Sequence, residues 1–177
     1  HTLLGENGAG KSTLMKILAG LYQPSSGEMA MHGKKLVLPD PKSARQAGIA
    51  IIYQELSLSK NMTVAENIYA NHEPQRFGII NDQLLLSRAK KLLLKLAINI
   101  DPTQTVINLS MAQRQLVEIA KSLSYPADVI IMDEPTSSLS DNEADILFSI
   151  IETLKQQNKA IIYISHRMDE IMKISDD

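Results

Sequence analysis

The sequence contains no cysteine, so neither a disulfide framework nor a thiolate metal site can be built from it, and a reducing compartment is compatible with it. A strong charge of either sign is also missing, because 18 basic and 20 acidic residues leave a formal net charge of −2 spread along the chain. Binding to a phosphate backbone needs a basic footprint, so nucleic acid is not expected as a partner. No apolar run approaches the roughly 20 residues of a membrane-spanning helix. The richest stretch, Leu84 to Ile100, is interrupted by Lys95. The start lacks the charged-then-apolar layout of a signal peptide and opens directly on a strand-like His1-Thr2-Leu3-Leu4, which reads as a fragment boundary. Internal repeats and low-complexity tracts are absent too. These absences leave a single domain of the cytosolic kind, and 177 residues of 44% hydrophobic composition suffice for a real core.

Apolar periodicity divides the chain. After Gly5 to Gly10, the residues Leu14, Ile17, Leu18 and Leu21 recur at the spacing of one helix face, closed by Gly20 and Pro24. Glu28 to His32 and Lys35 to Leu38 flank Gly33-Lys34 as a hairpin. Pro41 to Ala47 is helical in pattern and ends at Gly48, before a continuous apolar run, Ile49 to Tyr53, of a length that suits a buried strand. The middle is expected to be helical, at Ala65 to Tyr69 and Leu84 to Ala97, with a polar loop from Asn71 to Gly78. A further helix carries Leu116, Ile119, Ala120 and Leu123, with Ser110 at its N-cap. Val129 to Met132 and Ala160 to Ile164 are β-branched runs, and between them Ser140 and Glu143 form a capping-box pattern ahead of Leu147, Ile150, Ile151 and Leu154. Strands alternating with helices predict an α/β fold with a parallel sheet covered by helices. The catalytic core is expected over residues 1–55 and 125–177, with a helical subdomain inserted at 56–124.

Two motifs carry chemistry. Gly5-Glu6-Asn7-Gly8-Ala9-Gly10-Lys11-Ser12 fits the phosphate-loop pattern and lies between a predicted strand and a predicted helix, as that motif requires. Glycines let successive backbone N–H groups point at one anion, and the helix that follows presents its positive end to it. Lys11 is expected on the β and γ phosphates of ATP, and the Ser12 hydroxyl on an octahedral Mg²⁺. The four specified positions match by accident in a chain of this length with a probability below about 1%. Downstream, Val129-Ile130-Ile131-Met132-Asp133-Glu134 ends an apolar strand in two carboxylates, at the sheet edge where open α/β folds bind ligands. Asp133 is assigned to Mg²⁺ and Glu134 to the attacking water. Acids merely solvated at a strand end are the bland alternative, and the phosphate loop upstream weighs against it.

With both motifs in place, the chain resembles the nucleotide-binding domains of ABC transporters, a P-loop NTPase family, from Leu3 to Ser175. In order, Gln54 in Tyr53-Gln54-Glu55-Leu56 resembles the family's Q-loop glutamine, which also reaches Mg²⁺. Leu109-Ser110-Met111-Ala112-Gln113 is similar to the signature Leu-Ser-Gly-Gly-Gln. Ser137-Ser138-Leu139-Ser140 resembles the D-loop, and His166 in Ile164-Ser165-His166 the switch histidine that contacts the γ-phosphate. The resemblance implies catalytic roles for Glu134, His166, Gln54 and Lys11. It implies nucleotide contacts at Gly5 through Ser12, at Thr13, and at Ser110 and Gln113, and metal contacts at Ser12, Gln54 and Asp133. His1, His32 and His72 receive no role, and Met29 and Met31 are assigned to packing.

The signature departs from the family at Met111 and Ala112, where glycines are usual, and the Ala112 methyl is expected to hold the backbone off the phosphate. Ser140 stands where the D-loop usually has aspartate. The adenine-stacking aromatic residue lies ahead of Gly5 in the family, so the base contact is expected outside this sequence, and the stretch by itself is expected to be marginally stable. The wording of Ile51 to Leu58, Met62 to Ile68, Gln115 to Lys121 and Tyr163 to Ile171 is most similar to bacterial monosaccharide importers, of which the first of two fused ATPase domains is the better match. That implies sugar import powered by ATP at the cytoplasmic face of the membrane. The partners it implies are a second ATPase domain, transmembrane permease subunits and, indirectly, an extracytoplasmic sugar-binding protein. The alternatives are a non-transport ABC ATPase, for which no coiled coil or basic face is visible, a nucleotide-binding domain with impaired hydrolysis, and a regulatory scaffold.

Overall fold

The computed structural model describes residues 1–5 and 8–175. In chain order its elements are β1 (Thr2–Leu3), α1 (Lys11–Leu18), β2 (Met29–Met31), β3 (Lys34–Leu36), α2 (Pro41–Gln46), β4 (Ile49–Ile52), α3 (Val64–Ile68), β5 (Gln75–Arg76), β6 (Ile79–Ile80), α4 (Asp82–Lys95), α5 (Met111–Ser122), β7 (Val129–Asp133), α6 (Asp141–Gln156), β8 (Ala160–Ile164) and α7 (Met168–Ile174). A short 3₁₀ turn, Val106–Asn108, precedes α5. Strands β1, β8, β7 and β4 form one parallel sheet in that order. Side chains alternate across a strand, and here both faces are covered. Ile130 and Met132 of β7, with Ala50 and Ile52 of β4 and Ile161 and Tyr163 of β8, join the larger core, which α3 to α6 complete. Ile131, Ile49 and Ile164 face the other way, into a smaller core with Met15, Leu38 and Ala44. Burial on both faces is why these strands read as unbroken apolar runs.

The helical middle shares the larger core with the sheet instead of having its own: Val64, Leu85, Leu93 and Val117 belong to the same cluster as Ile130 and Met132. Capping fixes where the helices begin. Ser110 and Gln113 form a reciprocal box at the start of α5, with Ser110 N donating to Gln113 Oε1 at 3.0 Å and Gln113 N to Ser110 Oγ at 3.2 Å. Thr63 and Glu66 do the same for α3. Ahead of α6, the Glu143 carboxylate accepts from both Ser140 N at 2.8 Å and Ser140 Oγ at 2.6 Å.

Three local expectations change. On α1 the buried stripe is Met15 with Ala19, while Leu14 and Leu21 are exposed. Apolar residues at 14, 15, 17 and 18 cover a wide arc of the helix, and the packing against the sheet selects the side that faces it. The expected polar loop from Asn71 to Gly78 contains half of a small hairpin, β5 with β6. Its tip residues Phe77 and Gly78 take φ of 54° and 80°, the pair of positive values a tight two-residue turn needs. Met168–Ile174 forms α7, which apolar spacing does not single out. Met29 and Met31 do pack against the smaller core.

Gly20 ends the turn after α1 with φ of 72°, and a Cβ there would lie 2.3 Å from the Asp40 carbonyl oxygen, which is backbone and cannot swing away. Gly20→Ala is therefore expected to destabilise the fold by at least about 2 kcal/mol, measurable as a lowered denaturant midpoint.

Candidate functional site

Parallel strands all end at the same edge of a sheet, so the residues that follow β1, β4, β7 and β8 are gathered on one side. They are the glycine-rich loop, Gln54, Glu134 next to Asp133 at the end of β7, and His166. The strand order decides who meets whom. Because β7 lies between β8 and β4, Glu134 stands between His166 and Gln54: His166 Nδ1 is 3.0 Å from Glu134 Oε1, and Gln54 Nε2 donates to Glu134 Oε2 over a long 3.4 Å. An ionised carboxylate only accepts, so the hydrogen of the first contact is on the imidazole Nδ1.

Glu134 takes φ of 45°, a left-handed conformation uncommon for a residue with a side chain. Its N–H donates to the Ile164 carbonyl of β8 at 2.9 Å, which extends the strand pairing by one residue while the chain turns away. Holding a non-glycine residue there costs on the order of 1 kcal/mol or more, and the conformation places the carboxylate beside the ends of both neighbouring strands.

Opposite the acids lies the glycine-rich loop. Gly8 and Gly10 both have φ of 90°, and a Cβ at either would meet open space. The helix α1 starts from Gly10 with no side-chain cap, and its first turn lines the cleft. Lys11 Nζ donates to the Gly5 carbonyl within the loop. A cleft of about 270 Å³ is lined by Gly8, Ala9, Gly10, Lys11, Ser12 and Thr13 on one wall and by Gln54, Asp133 and Glu134 on the other. Glu6 and Asn7 lie outside the described residues.

Ser110 and Gln113 are not brought to this cleft. They sit at the exposed start of α5 and cap each other. Of the two signature departures, Ala112 is buried (6% exposed) and Met111 stands on the surface (53%). The Ala112 methyl thus faces the interior, and Met111 is the side chain presented beside Ser110. His72, given no role, packs between Tyr69 and Tyr125 with ring centroids 5.0 and 3.9 Å away.

Sequence reasoning missed two buried carboxylates. Glu118 of α5 accepts from Ser57 N at 3.0 Å and Ser57 Oγ at 2.7 Å, anchoring the chain just beyond Gln54. Glu170 of α7 accepts from groups that follow both β7 and β8. The second was detectable, because Glu170 shares with Ile171 and Ile174 the apolar stripe of its helix, an unusual place for an acid.

The cleft's electrostatics are mixed. The Asp133 carboxyl is pushed above the usual carboxylate range, first by burial and then by the neighbouring Glu134 charge, with Lys11 opposing both. A carboxyl whose folded pKa exceeds its unfolded value contributes stability below the unfolded pKa, and that contribution is lost as pH rises through the folded pKa. Ionised Asp133 therefore works against the nucleotide-free fold at neutral pH. Asp133→Asn is expected to raise the melting temperature at pH 7, with the advantage vanishing below about pH 4, as thermal melts at the two pH values would show.

Similarities to known proteins accord with this geometry. The sequence model of the family described as ABC transporter matches residues 1–137. A putative ribose/galactose/methyl galactoside import ATP-binding protein of Pseudomonas fluorescens is 53% identical over 99% of this chain and 34% of its own length. One of the same description from Burkholderia cenocepacia is 52% identical over 100% of this chain and 34% of its own. The chain thus spans about a third of the length of the curated relatives it matches. Among solved structures, the ADP conformation of an ATP-binding cassette of an ABC transporter superposes with a TM-score of 0.83 at 26% identity, covering 99% of this chain and 73% of that one. With its fold and most of its sequence matched in this way, the chain belongs to the ABC transporter family.

Proposed function

We propose that this chain binds MgATP in the cleft and hydrolyses it, as the nucleotide-binding domain of a transporter that imports a sugar of the ribose/galactose kind. The observation that carries the reading is Glu134 held between Gln54 and His166 at the wall of the cleft opposite the glycine-rich start of α1. Amide donors and one lysine on one side with paired acids on the other suit an anion bridged to a cation, and fit a magnesium nucleotide better than either ion alone. When bound, MgATP would supply the γ-phosphoryl group that water attacks.

The residues divide the work. The loop from Gly5 to Thr13 cradles the phosphates, and Lys11, drawn from the Gly5 carbonyl, neutralises their charge. Ser12 and Asp133, with Gln54, would hold Mg²⁺, whose charge would favour the ionised Asp133 that burial disfavours. Glu134 orients the attacking water and takes its proton. His166 keeps Glu134 in place through Nδ1, leaving Nε2 for the γ-phosphate.

Ser110 and Gln113 are not among the residues that line their own chain's cleft. They serve the nucleotide of a second ATPase domain closed face to face on this one, as an isologous pair permits. Loss of the γ-phosphate removes the affinity that favours the closed pair. A groove lined by Arg45, Tyr53, Ser57, Asn71, Lys121 and Tyr125 sits beside Gln54 and receives a helix of the permease. Sugar import is supported by what the relatives are named for, and a peripheral place at the cytoplasmic face follows from it; no helix among the described residues is long and apolar enough to cross a membrane.

In the full-length protein, Glu134→Gln is expected to retain labelled ATP while hydrolysis falls by about 10²-fold or more, whereas Lys11→Ala loses retention. Unchanged turnover in the glutamine variant would remove Glu134 from the reaction. Met111→Gly is expected to tighten ATP-dependent dimerisation, and Ala112→Gly to leave it unchanged, as sedimentation with the hydrolysis-deficient variant would report.

A further inference from the structure

Glu170 is 2% exposed, and its carboxylate is saturated by groups from two different loops. From the loop after β7, Thr136 Oγ1 donates at 2.8 Å to Oε1 and 2.9 Å to Oε2. From β8 and the loop beyond it, Tyr163 Oη donates to Oε2 at 2.9 Å and Ser165 Oγ to Oε2 at 3.0 Å. Arg167 Nη1 pairs with Oε1 at 2.8 Å, and Arg167 N donates to Ser165 Oγ at 3.0 Å. Burial pushes the Tyr163 phenol up, so it remains a donor at any working pH.

Thr136 is two residues beyond Glu134, and Ser165 and Arg167 flank His166. The two loops leave adjacent strands, and past the last strand pairing, Glu134 N to the Ile164 carbonyl, the Glu170 carboxylate joins them beyond the His166–Glu134 contact. We propose that Glu170 is a positioning residue, which sets the separation of Glu134 and His166 by tying the loop of each to one buried charge. The inference rests on the hydrolysis reading above and adds to it a residue that touches neither nucleotide nor water. A hydrophobic contact in the same place would hold the loops together but not their register. A charge accepting from three hydroxyls and a guanidinium does so, because each donor has one direction in which it is satisfied.

The test uses the full-length protein with steady-state ATPase kinetics and nucleotide affinity measured separately. Thr136→Val keeps the shape and removes only the tether from the β7 side. It is expected to lower kcat by about tenfold or more, since small misplacements of reacting groups are costly, with nucleotide Kd unchanged and with activity restored in Thr136→Ser. Combined with His166→Ala, the valine substitution should cost little more than the alanine substitution alone, because both act on the same contact. Wild-type kcat in Thr136→Val, a loss that serine does not restore, or losses that multiply fully with His166→Ala would overturn the proposal. If the valine variant does not fold, Glu170→Gln, of equal size and without charge, is judged by the same cycle. Glu134→Gln run in parallel separates the two readings: its retained turnover defeats the hydrolysis reading itself, whereas its inactivity beside a silent Thr136→Val defeats this inference alone.

Discussion

The contact between Glu134 and His166 exists because two parallel strands end level with each other. Strand β7 pairs with β8 in a register that sets Asp133 opposite Ile164, so the next residues on each strand leave the sheet side by side. Everything else about the cleft follows from that alignment. Strand β4, in register on the other side with Ile52 opposite Met132, delivers Gln54 to the same place, and β1, paired to β8 through Leu3 and Ile164, delivers the glycine-rich loop. A slip of one residue in any pair would turn that strand's core-facing side chains to the wrong face. The two cores, each drawing alternate residues from β4, β7 and β8, are thus what keeps the polar residues at the edge in line.

Charge is then used sparingly and deep. Glu118 and Glu170 are both nearly inaccessible, and both bind the polar groups of a neighbouring loop. Isolated buried carboxylates would be costly, and each is tolerated because several donors converge on it. The result is that the segments around Gln54, Glu134 and His166 are each attached to a helix: α5 holds the first through Ser57, and α7 holds the other two through Thr136, Ser165 and Arg167. Since α5 also begins at Ser110, the far end of one helix is joined to the loop beyond Gln54 while its N-terminus forms a separate exposed surface. A movement of that helix relative to the sheet would be felt at both.

Much of the architecture was readable in the residues. Runs such as Val129 to Met132 and Ala160 to Ile164 can pack only as strands covered on two sides, and the stripe Leu147, Ile150, Ile151, Leu154 has one helical face, which is the buried one. Capping residues marked the starts of α5 and α6 within a residue. Positions with more than one solution were misread. Helix α1 has apolar residues on a broad arc, so its buried side was undetermined until the sheet lay beneath it, and the hairpin at Gln75 to Ile80 depends on two backbone angles at Phe77 and Gly78 that ordinary propensity does not reveal.

The sequence by itself determined the chemistry available: a glycine-rich turn before a helix and two acids at a strand end were legible because local backbone requirements and side-chain type are properties of neighbouring residues, whereas Gln54 and His166 stood out only through their order in the family resemblance. Only the tertiary structure decided which of these meet. Strand order placed Glu134 between His166 and Gln54, kept Ser110 and Gln113 away from them, turned Ala112 inward and Met111 outward, and gathered Thr136, Tyr163, Ser165 and Arg167 on Glu170. Those contacts join residues up to 80 positions apart, and their partners are selected by sheet register and by the need to satisfy buried charge, neither of which is written in any short stretch of the chain.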